Sequence, residues 1–229
     1  MRCPPGSPES GYRPLRTYWW LLVSEIHAYG RWPSNAELIR DVATLYLPLY
    51  ADVLDATYGA GVWTRGLLAG DKFPPPRVIA NDLNPDIPCL FHHDFRHFTP
   101  RWDWTFDVTM FDPPYKLNGT PSGDDDIRYG VDQPSSIEER MDLILDGVTG
   151  CLATVKAKGQ LWVKCADQVA SGQVVWQTEE VISHARAKGC DLVDRFDRIR
   201  TPRPQPPGRR QVHARRNGST LLVFRKKGL

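Results

Sequence analysis

The chain has 229 residues, 41% hydrophobic and 24% charged; this fits one soluble core of α/β size and excludes a disordered composition or two comfortable domains. No apolar run approaches the roughly 18 residues of a membrane span, and five cysteines without C-x-x-C spacing exclude the usual zinc and disulfide frameworks. Net charge is only +2, but Arg195 to Arg216 holds eight arginines against one acid, Asp197, and Arg225-Lys226-Lys227 adds to them; such a basic tail is either a phosphate-binding footprint or a solvated surface.

In chain order, residues 1–16 are rich in Pro, Gly and Ser and lack a secretion-signal core, so they read as a flexible leader. Residues 17–229 read as a single domain. Tyr18 to Tyr29 is apolar and aromatic and predicts a helix. Ser34 and Glu37 form a capping box before Leu38, Ile39, Val42, Leu45 and Leu49, which recur at helical spacing. A strand follows at Val53 to Asp55, then a helix from Val62 to Ala69, then strands at Val78 to Asp82 and Phe106 to Phe111. Lys116 to Ser135, with five glycines or prolines and the acidic run Asp124-Asp125-Asp126, predicts a mobile loop. A second capping box, Ser136 and Glu139, opens a helix along Met141, Ile144, Leu145, Val148, Leu152 and Val155, which Gly159 is expected to end. Leu161 to Val163 is the next strand, and Glu179 to Lys188 a helix closed by Gly189. Asp191 to Ile199 and Thr220 to Arg225 are two closing strands around a Pro/Arg/Gly loop.

Repeated βα units predict a mostly parallel sheet covered by helices, and the last two strands predict a C-terminal antiparallel hairpin. Ligands are then expected outside the carboxyl ends of the strands. The cysteines read as reduced, mostly buried thiols of a cytoplasmic protein. His92, His93 and His97 read as exposed or capping residues, and no metal is expected.

Asp55-Ala56-Thr57-Tyr58-Gly59-Ala60-Gly61 follows a strand and opens a helix. Gly59 and Gly61 allow a tight turn and close approach to a ligand. Thr64 stands where a dinucleotide fingerprint carries its third glycine. A carboxylate at Asp55 would oppose a pyrophosphate but suits an ammonium group, such as the methionine part of S-adenosylmethionine. Asp82 lies about 20 residues on, where an acid binds ribose hydroxyls. Asp94-Phe95 offers a third acid, able to accept from the amine of an adenine. Each acid alone is more often a turn residue or a helix cap. Three in order favour the cofactor reading.

Asp112-Pro113-Pro114-Tyr115 follows the strand ending at Phe111. The prolines hold the backbone extended and remove two amide donors. That leaves the Asp112 carboxylate and nearby carbonyls to accept from an amino group, with the Tyr115 ring able to stack on a planar base. The alternative is a rigid surface turn.

These residues resemble the DPPY amino-methyltransferases of the class I S-adenosylmethionine-dependent superfamily. The resemblance runs from about Leu38 to the C-terminus. Asp112 to Tyr115 matches the catalytic motif in full, Asp55 to Gly61 is similar to the cofactor motif, Asp82 matches the ribose acid, and Asp94-Phe95 looks like the adenine-binding element. The motif order is that of the γ-like group, and Arg215-Arg216-Asn217 through Phe224 looks like the tail of small phage and bacterial methylases.

The resemblance implies a Rossmann-like class I methyltransferase fold, S-adenosylmethionine as cofactor, and methylation of an exocyclic amine, N6 of adenine in DNA. It also implies Asp112, Pro113, Pro114 and Tyr115 as catalytic residues, and Asp55, Thr57, Gly59, Gly61, Asp82, Asp94 and Phe95 as cofactor-binding residues. From the basic loop, Arg209, Arg210, Arg215 and Arg216 are expected to contact nucleic-acid phosphates. The roughly 20 residues from Arg200 to Ser219 are too few for the independent target-recognition domain the γ-like group carries, which leaves room for a partner in sequence recognition. RNA methylation at adenine N6 or guanine N2, cytosine-N4 methylation of DNA, and a non-catalytic nucleic-acid-binding role remain open.

Overall fold

A computed structural model of the chain describes residues 32–70, 74–117, 136–170, 172–200, 212–214 and 216–228. The expected leader, the helix at Tyr18 to Tyr29, the loop from 118 to 135, and Arg209, Arg210 and Arg215 lie outside the described residues.

The first helix, α1 (Asn35–Tyr46), opens on the capping box: Ser34 Oγ accepts from the Glu37 amide at 3.2 Å, and Glu37 Oε2 accepts from the Ser34 amide at 3.0 Å. Leu38, Ile39, Val42 and Ala43 form its buried face. The helix stops before the predicted Leu49, because Pro48 forces Leu47 into extended backbone. Leu45 and Leu49 are exposed as a result.

Strand β1 (Asp52–Asp55), helix α2 (Val62–Leu68), strand β2 (Arg77–Ala80) and strand β3 (Phe106–Phe111) follow. Helix α3 (Ile137–Thr154) starts on the second capping box, again reciprocal. It ends at Thr154, and β4 (Val155–Cys165) begins at once, so Gly159 lies inside a strand and does not cap the helix. The C-terminal carbonyls of α3 find tertiary partners: Trp104 N–H donates to Ala153, Thr105 N–H to Thr154, and Lys226 Nζ to Leu152. A glycine cap is therefore not required. A small antiparallel hairpin, β5 (Gln168–Ala170) and β6 (Gln173–Val175), has no counterpart among the expected elements. Helix α4 (Gln177–Ala187), strand β7 (Cys190–Ile199) and strand β8 (Gly218–Lys226) complete the described chain.

The main sheet has the order β2-β1-β3-β4-β8-β7. The first four strands are mutually parallel, and β8 runs antiparallel between β4 and β7. The expected mostly parallel sheet with a C-terminal antiparallel hairpin is what the chain forms. Side chains alternate across it, so both faces are buried. Leu161, Val163, Leu222 and Phe224 enter the core under α3 and α4. Trp162, Leu221 and Val223 enter the opposite core with α1 and α2.

Because β7 pairs antiparallel to a strand that is itself antiparallel to β4, its carboxyl end returns to the edge where β1, β3 and β4 end. Asp55, Asp112, Lys164 and Arg200 therefore converge at one end of the sheet. Among the described residues, no helix is long and apolar enough to cross a membrane.

Candidate active site

The Asp55 to Gly61 turn leaves β1 and enters α2 through two left-handed glycines, Gly59 (φ 51°) and Gly61 (φ 67°). A Cβ on Gly61 would lie 2.6 Å from the Tyr58 hydroxyl. The turn is pinned on both sides. Ala56 N–H donates to the Met110 carbonyl on β3 at 2.9 Å, and Tyr58 N–H donates to Asn81 beyond β2 at 2.9 Å.

Asp55 is 2% exposed at the end of β1, and Thr64 Oγ1 donates to its Oδ2 at 2.6 Å. Burial pushes its carboxyl up to about 7, opposed by the Thr64 bond and reinforced by the nearby Asp112 and Asp82. Three strand-end acids thus share one region, and an ammonium or sulfonium ligand would relieve that arrangement. Asp82 Oδ2 accepts from the Gly59 amide at 2.8 Å and Oδ1 from the Asn84 amide at 2.9 Å. Thr57 accepts at Oγ1 from the Asp112 amide at 2.8 Å, which couples the glycine turn to the next strand end.

The third expected acid is placed differently. No strand precedes Asp94; Phe91 makes only an isolated parallel bridge to Asn81. Pro85 and Pro88 interrupt the lead-in and deny it a ladder. The Asp94 carboxylate is engaged by the Arg96 side chain at 2.6 Å, and this bond holds it below the usual range. Phe95 is buried against Phe111, ring centroids 5.0 Å apart, and serves the core. The residue that draws this segment to the site is Asn81, fully buried. Its side-chain amide donates to the Ala56 (3.1 Å) and His93 (3.0 Å) carbonyls and accepts from the His93 N–H (2.9 Å).

Asp112 leaves β3 beside β4, and Pro113 and Pro114 are buried behind it. Its Oδ2 is 3.6 Å from Lys164 Nζ, while its Oδ1 is buried with no hydrogen-bond partner among the described residues. Burial pushes its carboxyl up; Lys164 first, then Arg200 and the Trp63 indole, oppose that. Trp63 Nε1 is itself buried and outside hydrogen-bond geometry.

The Tyr115 carbonyl is clamped by the side-chain amides of Gln168 and of Gln177, the latter at 3.1 Å. Arg140 on α3 donates to the Lys116 carbonyl at 2.9 Å. These residues, with Thr64, Asn81 and Lys164, are not among the expected site residues. Two of them leave a signal in the sequence: Thr64 at the place of the fingerprint's third glycine, and Lys164 as a charge inside the apolar run Leu161 to Cys165.

Beyond Tyr115 opens a cavity of about 320 Å³, whose lining includes Tyr115, Lys116, Gln168, Arg200, Arg216 and Asn217. Arg216 also stacks on Trp176, 4.5 Å from the ring centroid. Of the four arginines expected to contact phosphate, Arg216 is described, and it lies here.

The sequence matches no family model, and no curated protein matches it. Solved structures share its fold. A protein from Bacillus halodurans C-125, provisionally named a methyltransferase, is 14% identical with a TM-score of 0.55, over 84% of this chain and 99% of that one. TrmN from Thermus thermophilus is 17% identical with a TM-score of 0.50, over 83% of this chain and 48% of that one, so this chain spans about half its length. The 1,6-didemethyltoxoflavin-N1-methyltransferase of Burkholderia thailandensis, solved with 1,6-didemethyltoxoflavin and S-adenosylhomocysteine, is 16% identical with a TM-score of 0.50, over 84% and 78%. The shared architecture is the Rossmann-like fold of class I methyltransferases. A shared fold does not by itself fix a reaction.

Proposed function

We propose that the chain, as one domain from residue 17 onward, transfers a methyl group from S-adenosylmethionine to an exocyclic amino group of a nucleobase, N6 of adenine in DNA. The observation that carries this reading is the position of Asp112. It lies between the acidic glycine turn on one side and the cavity edged by Tyr115 and two arginines on the other. A carboxylate at a strand end, 20% exposed and set beside a buried lysine, suits an amine that must become more positive as it reacts.

The donor set fits the cofactor. Asp55 offers a buried carboxylate for the ammonium of the methionine part, and the positive-φ glycines let backbone approach it. Asp82 would accept from the ribose hydroxyls with the lone pairs left over from its two amide bonds. The toxoflavin methyltransferase, with S-adenosylhomocysteine bound on the same fold, supports this choice. When bound, S-adenosylmethionine supplies an electrophilic methyl on a sulfonium. The Asp112 carboxylate and the Pro113 carbonyl accept from the amine and stabilise the charge that grows on nitrogen. Tyr115 presents a ring on which the extruded base stacks. Gln168 and Gln177 hold the Tyr115 carbonyl, so the turn from Asp112 to Tyr115 is set before substrate arrives. Arg200 and Arg216 supply phosphate contacts, together with Arg209, Arg210 and Arg215 of the same loop.

The test is nucleoside mass spectrometry of DNA and RNA from a methylation-deficient host that expresses the chain. N6-methyladenine in DNA is the expected product. N6-methyladenine or N2-methylguanine confined to RNA would move the substrate to RNA, and N4-methylcytosine would change the base.

A further inference from the structure

Lys164 is 1% exposed, on β4, between the core residues Val163 and Cys165. A buried ammonium is costly unless it is paired. Among the described residues, Asp112 is the one acid within 4.0 Å of it, at 3.6 Å. The Tyr115 ring lies on its other contact, 5.3 Å from Nζ to the centroid. The lysine therefore touches two members of the Asp-Pro-Pro-Tyr motif from beneath, on the strand adjacent to β3.

We infer that Lys164 is a positioning residue for Asp112: its ammonium engages Oδ2 and fixes the orientation and the charge of the carboxylate that is to accept from the substrate amine. The inference rests on the proposed role of Asp112. Its physical need is plain. A carboxyl group in this burial is driven toward its neutral form, and a protonated Asp112 could not stabilise a developing ammonium. The groups facing Asp112 are Lys164 from β4, Arg200 from the end of β7, Trp63 from α2, and Asp55 from the end of β1. Asp55 opposes ionisation. Lys164 is the cation that most favours it, and it is fixed in the core, whereas Arg200 leads into the basic loop.

The experiment follows the Asp112 carboxyl carbon by NMR across pH in the ligand-free protein, for wild type, Lys164→Met and Lys164→Arg. Removal of an opposite charge at this range should raise the Asp112 midpoint by about one pH unit or more, and arginine should restore most of the shift. Should Lys164→Met not fold, Lys164→Gln keeps a polar donor, drops the charge, and is expected to show the same rise. Turnover supplies a second readout. Lys164→Met should lower kcat at pH 7 at least tenfold and move the acidic limb of the pH profile upward, with KM for S-adenosylmethionine unchanged. In an Asp112→Asn background the same substitution should add no further loss. A midpoint that stays put in the charge-removing variants overturns the pairing, whatever the substrate. A shifted midpoint in a protein that methylates no nucleic acid keeps the pairing and removes the substrate assignment.

Discussion

Thr64 donates a 2.6 Å hydrogen bond to Asp55 from the position where a dinucleotide-binding turn carries glycine. The replacement is chemical as well as steric. A glycine there brings a helix close to a strand, whereas this hydroxyl orients a buried carboxylate at the mouth of the turn.

Asp55 should therefore make cofactor binding pH-dependent. Its carboxyl is raised from an ordinary 3.8 to about 7. A cationic ligand needs the ionised form, so affinity should rise with pH up to about 7 and level off above it. Isothermal titration with S-adenosylhomocysteine at pH 6 and pH 8 checks this. A pH-independent dissociation constant would contradict the assignment of Asp55 to the ammonium.

The same residue should cost stability in the ligand-free protein. The folded state binds the Asp55 proton more tightly than the unfolded chain does between 3.8 and about 7. Its stabilising contribution is therefore complete below the lower value and lost as pH rises through the upper one. Asp55→Asn should raise Tm at pH 8, by roughly 2–4 °C for each kcal/mol of desolvation relieved, while weakening cofactor binding. A lower Tm would show that the carboxylate holds the turn together.

Asp82→Ala should weaken S-adenosylhomocysteine binding by about 1–3 kcal/mol, the worth of charge-assisted bonds. Two effects combine, because Asp82 also holds the Gly59 amide. An unchanged dissociation constant by calorimetry would make Asp82 a turn residue alone.

The basic loop should act on phosphate without regard to sequence. Replacing Arg209, Arg210, Arg215 and Arg216 by alanine should weaken binding to all duplexes alike. It should also flatten the log–log salt dependence by up to roughly 0.9 for each phosphate that is no longer neutralised. A wild-type slope in the quadruple variant would leave these charges a role in solubility only.

Much of this site is legible in the sequence because its signals are local. The capping boxes at Ser34 and Ser136, the paired glycines, and the Asp-Pro-Pro-Tyr run each declare themselves within a few residues. β1, β3, β7 and β8 fall within two residues of their expected ends. What stays hidden depends on partners distant in sequence or on how a short segment folds back. The end of α3 is capped from Trp104, Thr105 and Lys226, so no glycine marks it. Asp94 looks like a free acid until Arg96 folds back onto it. Gln168 and Gln177 hold Tyr115 from 53 and 62 residues away.

The proposed role of Asp112 is to present an amine of a nucleobase to the methyl donor. Methyl-tritiated S-adenosylmethionine, incubated with DNA and with RNA and followed by nucleoside separation, tests it most directly when wild type and Asp112→Ala are run together. That role requires label in N6-methyladenine from DNA, reduced at least about 10²-fold in the variant, with S-adenosylhomocysteine binding retained. Label absent from every nucleoside, or turnover in Asp112→Ala above about a tenth of wild type, would contradict it.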